Sequence, residues 1–535
     1  MAEFKGVLGE RPIDTECRWP TVSQIYPQHT FSTLSNFIGS NQRKNRVAVR
    51  LQPEPNLQLT DEQQSYVDFI EAKCAESPFP FFCSLVCGPG GSGKTLLLQK
   101  VQHVLARHKI RFCLAAPTGI SAFSMGVGGM TLHSCFGINY KTSFEDFYDK
   151  EPSDVVLERL SNVQVLIIDE LSYVSARLLA VIEKRMRDIA EKEGSFGQVS
   201  VIMLGDIFQL PSVLDKPCWL DPADFVNCTN RLLLQGLNIF REFNHVQMLN
   251  VNIRQQDDQQ FQNLLNHIRY KNVNVEDMKL LESRMKKNLS EAEIARFDDV
   301  IHLFQTNKSA DCWNYEKIQA LKVPVISTPL CDDDVIGTRA VYLGVGVKVM
   351  LRRNLWTEYG LVNGSIGVIK QVAYADNQQK QLTPTVITVE FEGYRGPTLD
   401  DNTVPIVAKL TKVFNTKSGK REHVNLFCVQ NCFGITIHKS QSLTLTAASL
   451  EIGSEDMCYG TTYVACSRVK KLENILILDE EFSPDRFTNP CFMAGLEIRL
   501  QEEDRMRILS LRNREEEDEQ GAPAAAAAPV LNLNE

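Results

Sequence analysis

The residues most open to a chemical reading are GPGGSGKT at 88–95. Gly88, Gly90, Gly91 and Gly93 let backbone N–H groups turn inward around an anion, Ser92 is a further nucleotide-binding position of the same loop, and a helix opening at Lys94 adds the partial positive charge of its N-terminus. Lys94 is placed for the β- and γ-phosphates of a nucleotide and the Thr95 hydroxyl for Mg2+. The pattern GxxxxGK[ST] is expected only about 0.02 times by chance in a chain of this length. Its context agrees: the apolar run FFCSLVC (81–87) precedes it, and Leu97, Leu98, Val101 and Leu105 follow on one helix face. ATP with Mg2+ is the expected cofactor pair.

Two further clusters follow. In VQVLIIDE (163–170) an apolar strand delivers two carboxylates at its C-terminal end, Asp169 to hold Mg2+ through its coordination shell and Glu170 to orient and activate an attacking water. In GDIFQLPSV (205–213), after the apolar run VSVIML (199–204), Gln209 is placed to touch the γ-phosphate or its water. An acid pair or a polar turn alone is a common surface feature. Three strand ends carrying a phosphate loop, an acid pair and a polar sensor together point to nucleotide hydrolysis.

These residues need a scaffold that presents strand ends side by side. From Leu59 onward apolar strands alternate with helices, including IRFCLAA (110–116) and a helix with Leu178, Ile182, Met186 and Ile189 on one face, the pattern of a parallel sheet covered by helices. A first lobe is expected over 58–238. Phe261, Leu264, Leu265 and Ile268 at helical spacing open a second, over 239–336 and 427–500. Between its parts, 337–426 reads as short β-rich runs with polar turns (GVGVKVML, GSIGVIKQV, TVITVEF), hence a small inserted β-barrel. Residues 1–57, rich in Pro, Ser, Asn and Gln, are expected to be irregular. Residues 501–535, with EEEDE and APAAAAAP, are expected to be a low-complexity tail.

With 535 residues and 43% hydrophobic content the chain can bury a core in about three or four domains. Its 57 basic and 66 acidic residues, net −9, exclude a uniformly basic nucleic-acid coat protein but leave room for a local basic groove. Fifteen cysteines without a CxxC pair, several in apolar strands (Cys83, Cys87, Cys113), read as reduced core thiols. Cys428 and Cys432 lack a second ligand pair at zinc spacing, so no structural zinc is expected. The N-terminus matches neither a secretory signal nor a transit peptide, and no apolar stretch approaches the ~18 residues of a membrane span. A soluble intracellular protein with no membrane partner is expected.

With the motifs in place, the chain resembles the Pif-type helicases (the petite integration frequency family), close to the RecD-like branch of superfamily 1. The likeness covers roughly residues 58–480 and is carried by FGQVSVIMLGDIFQLPSV (196–213), APTGISA (116–122), TLHSCFGI (131–138), GLVNGSIGVI (360–369), ITIHKSQSLT (435–444) and YVACSRV (463–469). It implies that Gln63, in LTDEQ, reads the adenine. It implies that Arg254, in NIRQQ, and Arg468 reach the γ-phosphate from the second lobe, where guanidinium groups would stabilise the charge developing on the phosphoryl group. Nucleic-acid contacts would come from Pro117, Thr118, His133, Ser134, Thr436, His438, Lys439 and Gln441, groups suited to phosphate and sugar rather than base edges.

The implied fold is α/β, two RecA-like parallel-sheet lobes with an SH3-like barrel at 337–426 that helps enclose the strand. The implied activity is an ATP-driven 5'-to-3' motor on single-stranded DNA that opens tailed or forked duplexes in DNA replication, repair and recombination, nuclear in a eukaryote. Residues 135–160 are the candidate wedge. The chain departs from the common family pattern at Ser442 (Gly after HKSQ), Ser212 (the second Pro of QLPP), Tyr173 (Met) and Cys466 (Leu). An RNA or mixed-substrate translocase and a nucleotide-gated binding module of a mobile element or virus are the alternative readings.

Overall fold

The apolar runs that read as strands are buried on both faces, which is why they lack the alternation of a half-exposed strand. In the computed structural model, which describes residues 11–521 apart from 16, 45–57, 140, 214, 333, 376–383, 480–482 and 488–489, they form a six-stranded parallel sheet. Its order is Met130–Thr131, Phe112–Ala116, Val165–Ile168, Ser200–Gly205, Cys83–Cys87, His245–Met248. Alternate side chains feed two cores. Val86, Leu114, Ile167 and Ile202 pack with the helices Asp61–Ala75 and Lys94–Arg107. Leu85, Leu166, Ile168 and Met203 pack with Ala176–Ala190 and Arg231–Arg241. The result is the three-layered RecA-like lobe that the strand–helix alternation predicts.

The expected boundary at 238 is too early. His245–Met248 pairs in parallel with Cys83–Cys87 (Ser84 opposite His245), and Phe240, Phe243, Val246 and Met248 belong to the first lobe's core. A four-residue edge strand with His245 and Gln247 alternating against Val246 and Met248 carries too little apolar signal to be seen beforehand.

A second parallel sheet has the order Gly434–Thr436, Ile301–Phe304, Ala448–Glu451, Ile475–Ile477. Phe261, Leu264, Leu265 and Ile268 are buried against it from the helix Gln259–Arg269. The β-rich part comprises a five-stranded antiparallel sheet (Val404–Val407, Val386–Phe391, Ile366–Ala373, Lys348–Leu351, Val429–Asn431) and a four-stranded sheet (Lys420–Leu426, Lys409–Asn415, Val335–Leu343, Ile326–Asp332). It is wider than the expected 337–426, because Ile326–Asp332 and Val429–Asn431 are strands of these sheets.

Among the described residues, the segments 11–44 and 490–521 are more regular than their composition suggests. Within 11–44 four short helices occur, and Val22, Tyr26 and Leu34 pack on Ala373, Val386 and Leu399 of the β-rich part. Helices of four to eight residues are too short to leave a readable periodicity. At the other end the helix Pro490–Gly521 returns to the first lobe: Leu496 and Met506 enter its core, Arg241 pairs with Glu502, and Asn513 Oδ1 accepts from Val246 N at 2.9 Å. Residues 490–521 are therefore neither second lobe nor tail, since their carboxylates at 502 and 503 are buried in ion pairs. The Ala/Pro run lies outside the described residues. Among those described, no helix is long and apolar enough to cross a membrane.

In the second sheet His302 is 4% exposed and stacks on Trp313, ring centroids 4.1 Å apart. Burial, with the nearby Lys317 charge, pushes its pKa down to about 3. Between about pH 6.5 and pH 3 the unfolded chain binds a proton that the folded chain refuses, so stability rises with pH there by up to ~1.4 kcal/mol per unit. His302→Phe is expected to flatten that slope, measured as urea midpoints between about pH 4 and pH 7.

Candidate nucleotide site and nucleic-acid cleft

The buried strand Cys83–Cys87 runs into the loop 88–93 and the helix Lys94–Arg107. Gly91 (φ 96°) and Gly93 (φ 77°) carry the turn through left-handed backbone, and a Cβ there would lie 2.7 Å from Arg254 Cβ or 2.6 Å from Gln63 Nε2. Lys94 Nζ donates to the carbonyls of Gly88 (2.7 Å) and Pro89 (2.9 Å). Burial pulls its pKa down, against the opposing pull of Asp206, Glu170 and Asp169. Thr95 is exposed beside it and Ser92 is buried. Gln63 is fully buried: its Oε1 caps Thr60 N at 3.0 Å and its Nε2 donates to Ser92 O at 3.1 Å, so it braces the loop.

Asp169 and Glu170 leave the strand Val165–Ile168. Asp169 accepts from Ser121 Oγ and Glu170 N, each at 2.9 Å, and burial together with the Glu170 charge raises its pKa to about 6. Glu170 sits in left-handed backbone (φ 59°, ψ 55°) and accepts from Ser442 Oγ at 2.6 Å and Gln441 Nε2 at 3.2 Å, both from the second lobe. Gln209 is buried, its Nε2 3.2 Å from where a Cβ on Gly90 would stand.

Both arginines border the phosphate loop. Arg468, 2% exposed, donates to Val464 O (2.8 Å), Leu443 O (3.3 Å) and Ser467 Oγ (2.7 Å), and its Nη2 is 3.8 Å from the Gly90 Cβ position. Burial and the neighbouring Arg254 charge lower its pKa to about 10. Arg254 does not come from the second lobe as expected. It lies on the connection between His245–Met248 and Gln259–Arg269, its N donating to Gly91 O at 3.1 Å, and only its guanidinium reaches across, to Ser467 O at 3.0 Å. The backbone pairing of 253–254 with Gly91 holds it against the loop.

Asp206 and Tyr463 lie inside motifs quoted above but were not singled out. Gly90 N donates to Tyr463 Oη (2.9 Å), which donates to Asp206 Oδ2 (3.0 Å). Asp206 Oδ1 accepts from Arg269 Nη2 at 2.9 Å, and Arg269 pairs with Glu503 of the C-terminal helix. Their identity as the Asp of GDIFQLP and the Tyr of YVACSRV was the available signal.

A cleft of ≈ 1020 Å³ lies between the lobes and the β-rich part. Pro117, Thr118, His133 and Ser134 line it from the first lobe and His438, Lys439 and Gln441 from the second. Thr436 does not: it is 6% exposed at the start of the helix Ile437–Ser440. Burial lowers the pKa of both histidines, favouring the neutral ring. The third wall, Arg352, Arg353, Asn354, Asn363 and Gln430, was missed. Its only sequence signals were the polar RRN after GVGVKVML and the Asn within GLVNGSIGVI.

The PIF1-like helicase family model matches residues 58–279, and the model for the 2B domain of DNA helicase Pif1 matches 334–372. These two stretches of the chain are similar to the PIF1-like helicase family. Relatives include the ATP-dependent DNA helicase PIF1 of Danio rerio, 26% identical over 399 residues (73% of this chain, 58% of the relative), and Pif1 of Psychrobacter sp., 27% over 463 residues (73% and 65%). The chain thus spans about three fifths of the length of these relatives. Bacteroides Pif1 bound to single-stranded DNA aligns with TM-score 0.60 and 26% identity (83% of this chain, 97% of that one), and its complex with ADP-AlF3 and single-stranded DNA with 0.58 and 26% (83% and 97%). A structure of two coordinating Pif1 helicases unwinding forked duplex DNA aligns with TM-score 0.61 and 26% identity (84% and 98%).

The tie from Gly90 to Glu503 crosses both lobes without reaching solvent, and Arg269 is held charged inside it by Asp206. Asp206→Asn removes that carboxylate and is expected to destabilise the protein by about 3 kcal/mol in urea unfolding. Lys279→Ala, in the exposed pair with Glu276, should leave the midpoint unchanged.

Proposed function

We propose that this chain is an ATP-dependent motor that translocates 5'-to-3' on single-stranded DNA and unwinds tailed or forked duplexes. One observation carries the reading: the loops that line the cleft also hold the hydrolytic carboxylates. Thr118 lines the cleft and caps the helix Gly119–Ser124, whose Ser121 donates to Asp169. On the opposite wall Gln441 lines the cleft and donates to Glu170. A strand drawn into the cleft therefore touches groups one bond away from the reacting centre.

The backbone N–H groups of Gly91 and Gly93 and the Lys94 ammonium would take the β- and γ-phosphates, Lys94 exchanging the Gly88 and Pro89 carbonyls for phosphate oxygens while Gly90 N stays on Tyr463 Oη. A hydroxyl (Thr95) and a carboxylate (Asp169) beside a phosphate cradle fit Mg2+, which binds through few protein ligands and supplies Lewis-acid neutralisation of the developing charge. Glu170 would accept the proton of the attacking water, Gln209 would align that water, and Arg254 and Arg468 would neutralise charge on the transferring group. Adenine reading by Gln63 rests on the family likeness, its buried amide here bracing the phosphate loop. The 5'-to-3' direction rests on the family likeness. Residues 135–160, anchored in the first lobe's core by Phe147, Val156 and Leu160 and paired through Lys141 to Asp334, are the proposed wedge.

Lys94→Ala is expected to lower strand-stimulated ATPase at least about 100-fold and to abolish unwinding of 5'-tailed duplexes, with 3'-tailed duplexes inert to the wild type. Full stimulated ATPase in Lys94→Ala would overturn the reading, and preference for single-stranded RNA over DNA would move it to an RNA translocase. Arg352→Ala and Arg353→Ala should each reduce the slope of log affinity against log salt by about 0.7 on any single-stranded sequence, measured by fluorescence anisotropy.

A further inference from the structure

We propose that Ser442 is a positioning residue that restrains Glu170 until a nucleic-acid strand enters the cleft. The inference deepens the reading above and rests on Glu170 being the group that accepts the proton of the attacking water.

Both Glu170 oxygens are engaged by one dipeptide of the other lobe, Oε1 by Ser442 Oγ at 2.6 Å and Oε2 by Gln441 Nε2 at 3.2 Å. Gln441 Nε2 also meets Ser172 Oγ at 3.2 Å. The two residues that face each other at 2.6 Å are both non-glycine residues in left-handed backbone, Glu170 at φ 59° and Ser442 at φ 68°. L side chains resist that conformation, and a glycine at 442 would adopt it freely. Strain of this kind persists only where surrounding interactions over-determine it. At 442 the side-chain interaction provided is the hydroxyl on Glu170. A reciprocal bond crosses the same seam: Tyr173 Oη, three residues after Glu170, donates to His438 O at 3.2 Å. Ser442 and Tyr173 are two of the four positions at which the chain departs from the common pattern.

The same loop faces the strand. His438, Lys439 and Gln441 line the cleft, and Ser442 follows directly. With the cleft empty, the two donors turn the Glu170 carboxylate toward the second lobe. A phosphodiester backbone competing for His438, Lys439 and Gln441 shifts this loop, weakens both donors and frees the carboxylate to meet the water. The water oxygen then bonds to the γ-phosphorus as the bond from phosphorus to the bridging oxygen of ADP breaks. Glu170 takes the water's proton and later releases it to solvent.

The test measures ATPase of the full chain with and without single-stranded DNA for wild type, Ser442→Ala and Ser442→Gly, with thermal melts as folding controls. Ser442→Ala removes the hydroxyl and keeps the strain. Ser442→Gly removes both, and its backbone suits the site. Both are expected to raise strand-free kcat about 5-fold with KM for ATP unchanged and stimulated kcat within about 2-fold of wild type, so that the stimulation ratio falls. A purely structural role would lower both rates together. Wild-type ratios in both variants, a change confined to Ser442→Gly, or a loss of stimulated rate with strand-free rate unchanged would each overturn the proposal. Lys94→Ala, run alongside, separates the two failures: if it retains ATPase the functional reading itself is lost, whereas if it is inactive only the role of Ser442 is at stake.

Discussion

Hydrogen bonding sets Val165–Ile168, Ser200–Gly205 and Cys83–Cys87 side by side and parallel, so their C-terminal ends leave the sheet on one edge. That constraint decides where chemistry can occur, because in an open parallel sheet the loops beyond the strand ends form the crevice that accepts a ligand. It also fixes register. Ile167 and Ile202 face one helical layer while Leu166, Ile168 and Met203 face the other, and a one-residue slip would exchange the two faces. Packing on both sides therefore holds Asp169, Asp206 and the phosphate loop at the same depth. The second lobe meets this edge with Tyr463, Gln441, Ser442 and Arg468, all from loops or short helices at the ends of its own parallel strands.

The electrostatics follow from where charges are cancelled. The chain is acidic overall, at −9, yet the cleft gathers Arg352, Arg353 and Lys439. Several carboxylates are neutralised locally: Glu502 and Glu503 by Arg241 and Arg269, and Asp332 by Arg339 and Arg352. Burial, with the nearby Arg352 and Arg339 charges, lowers the Lys439 pKa, a tension that an anionic backbone would relieve. A groove with low-dielectric walls focuses such a field more strongly than the net charge implies.

How far the sequence was legible depended on whether a feature is local. The phosphate loop, the acid pair and Gln209 could be read because each needs particular residue types within a few positions, and the helix through Phe261 and Ile268 because its periodicity is long. Arg352, Arg353 and Asn363 were missed because their nearness to His133 and Lys439 is created only when the β-rich part docks. The carboxylates at 502 and 503 misled because a buried, paired acid and a solvated one look alike in sequence; their partners lie 261 and 234 residues away. Arg254 was given to the wrong element because the strand before it, His245–Met248, is a short edge strand.

The phosphate loop is flanked by three cations whose nearest carboxylates are already engaged. Asp206 is held by Arg269 and Tyr463, and Glu170 by Gln441 and Ser442. Lys94 rests instead on Gly88 and Pro89 carbonyls, Arg254 on Ser467 O, and Arg468 on Val464 and Leu443 carbonyls. Carbonyl dipoles offset only part of the cost of removing a full charge from water, which is why the Arg468 pKa falls to about 10. The desolvation of these cations is thus met before any ligand arrives, and a polyphosphate that replaces the carbonyls gains attraction without incurring that cost again. Lys94 belongs to the first lobe, Arg468 to the second and Arg254 to the segment joining them, so an anion held by all three would be shared between the lobes.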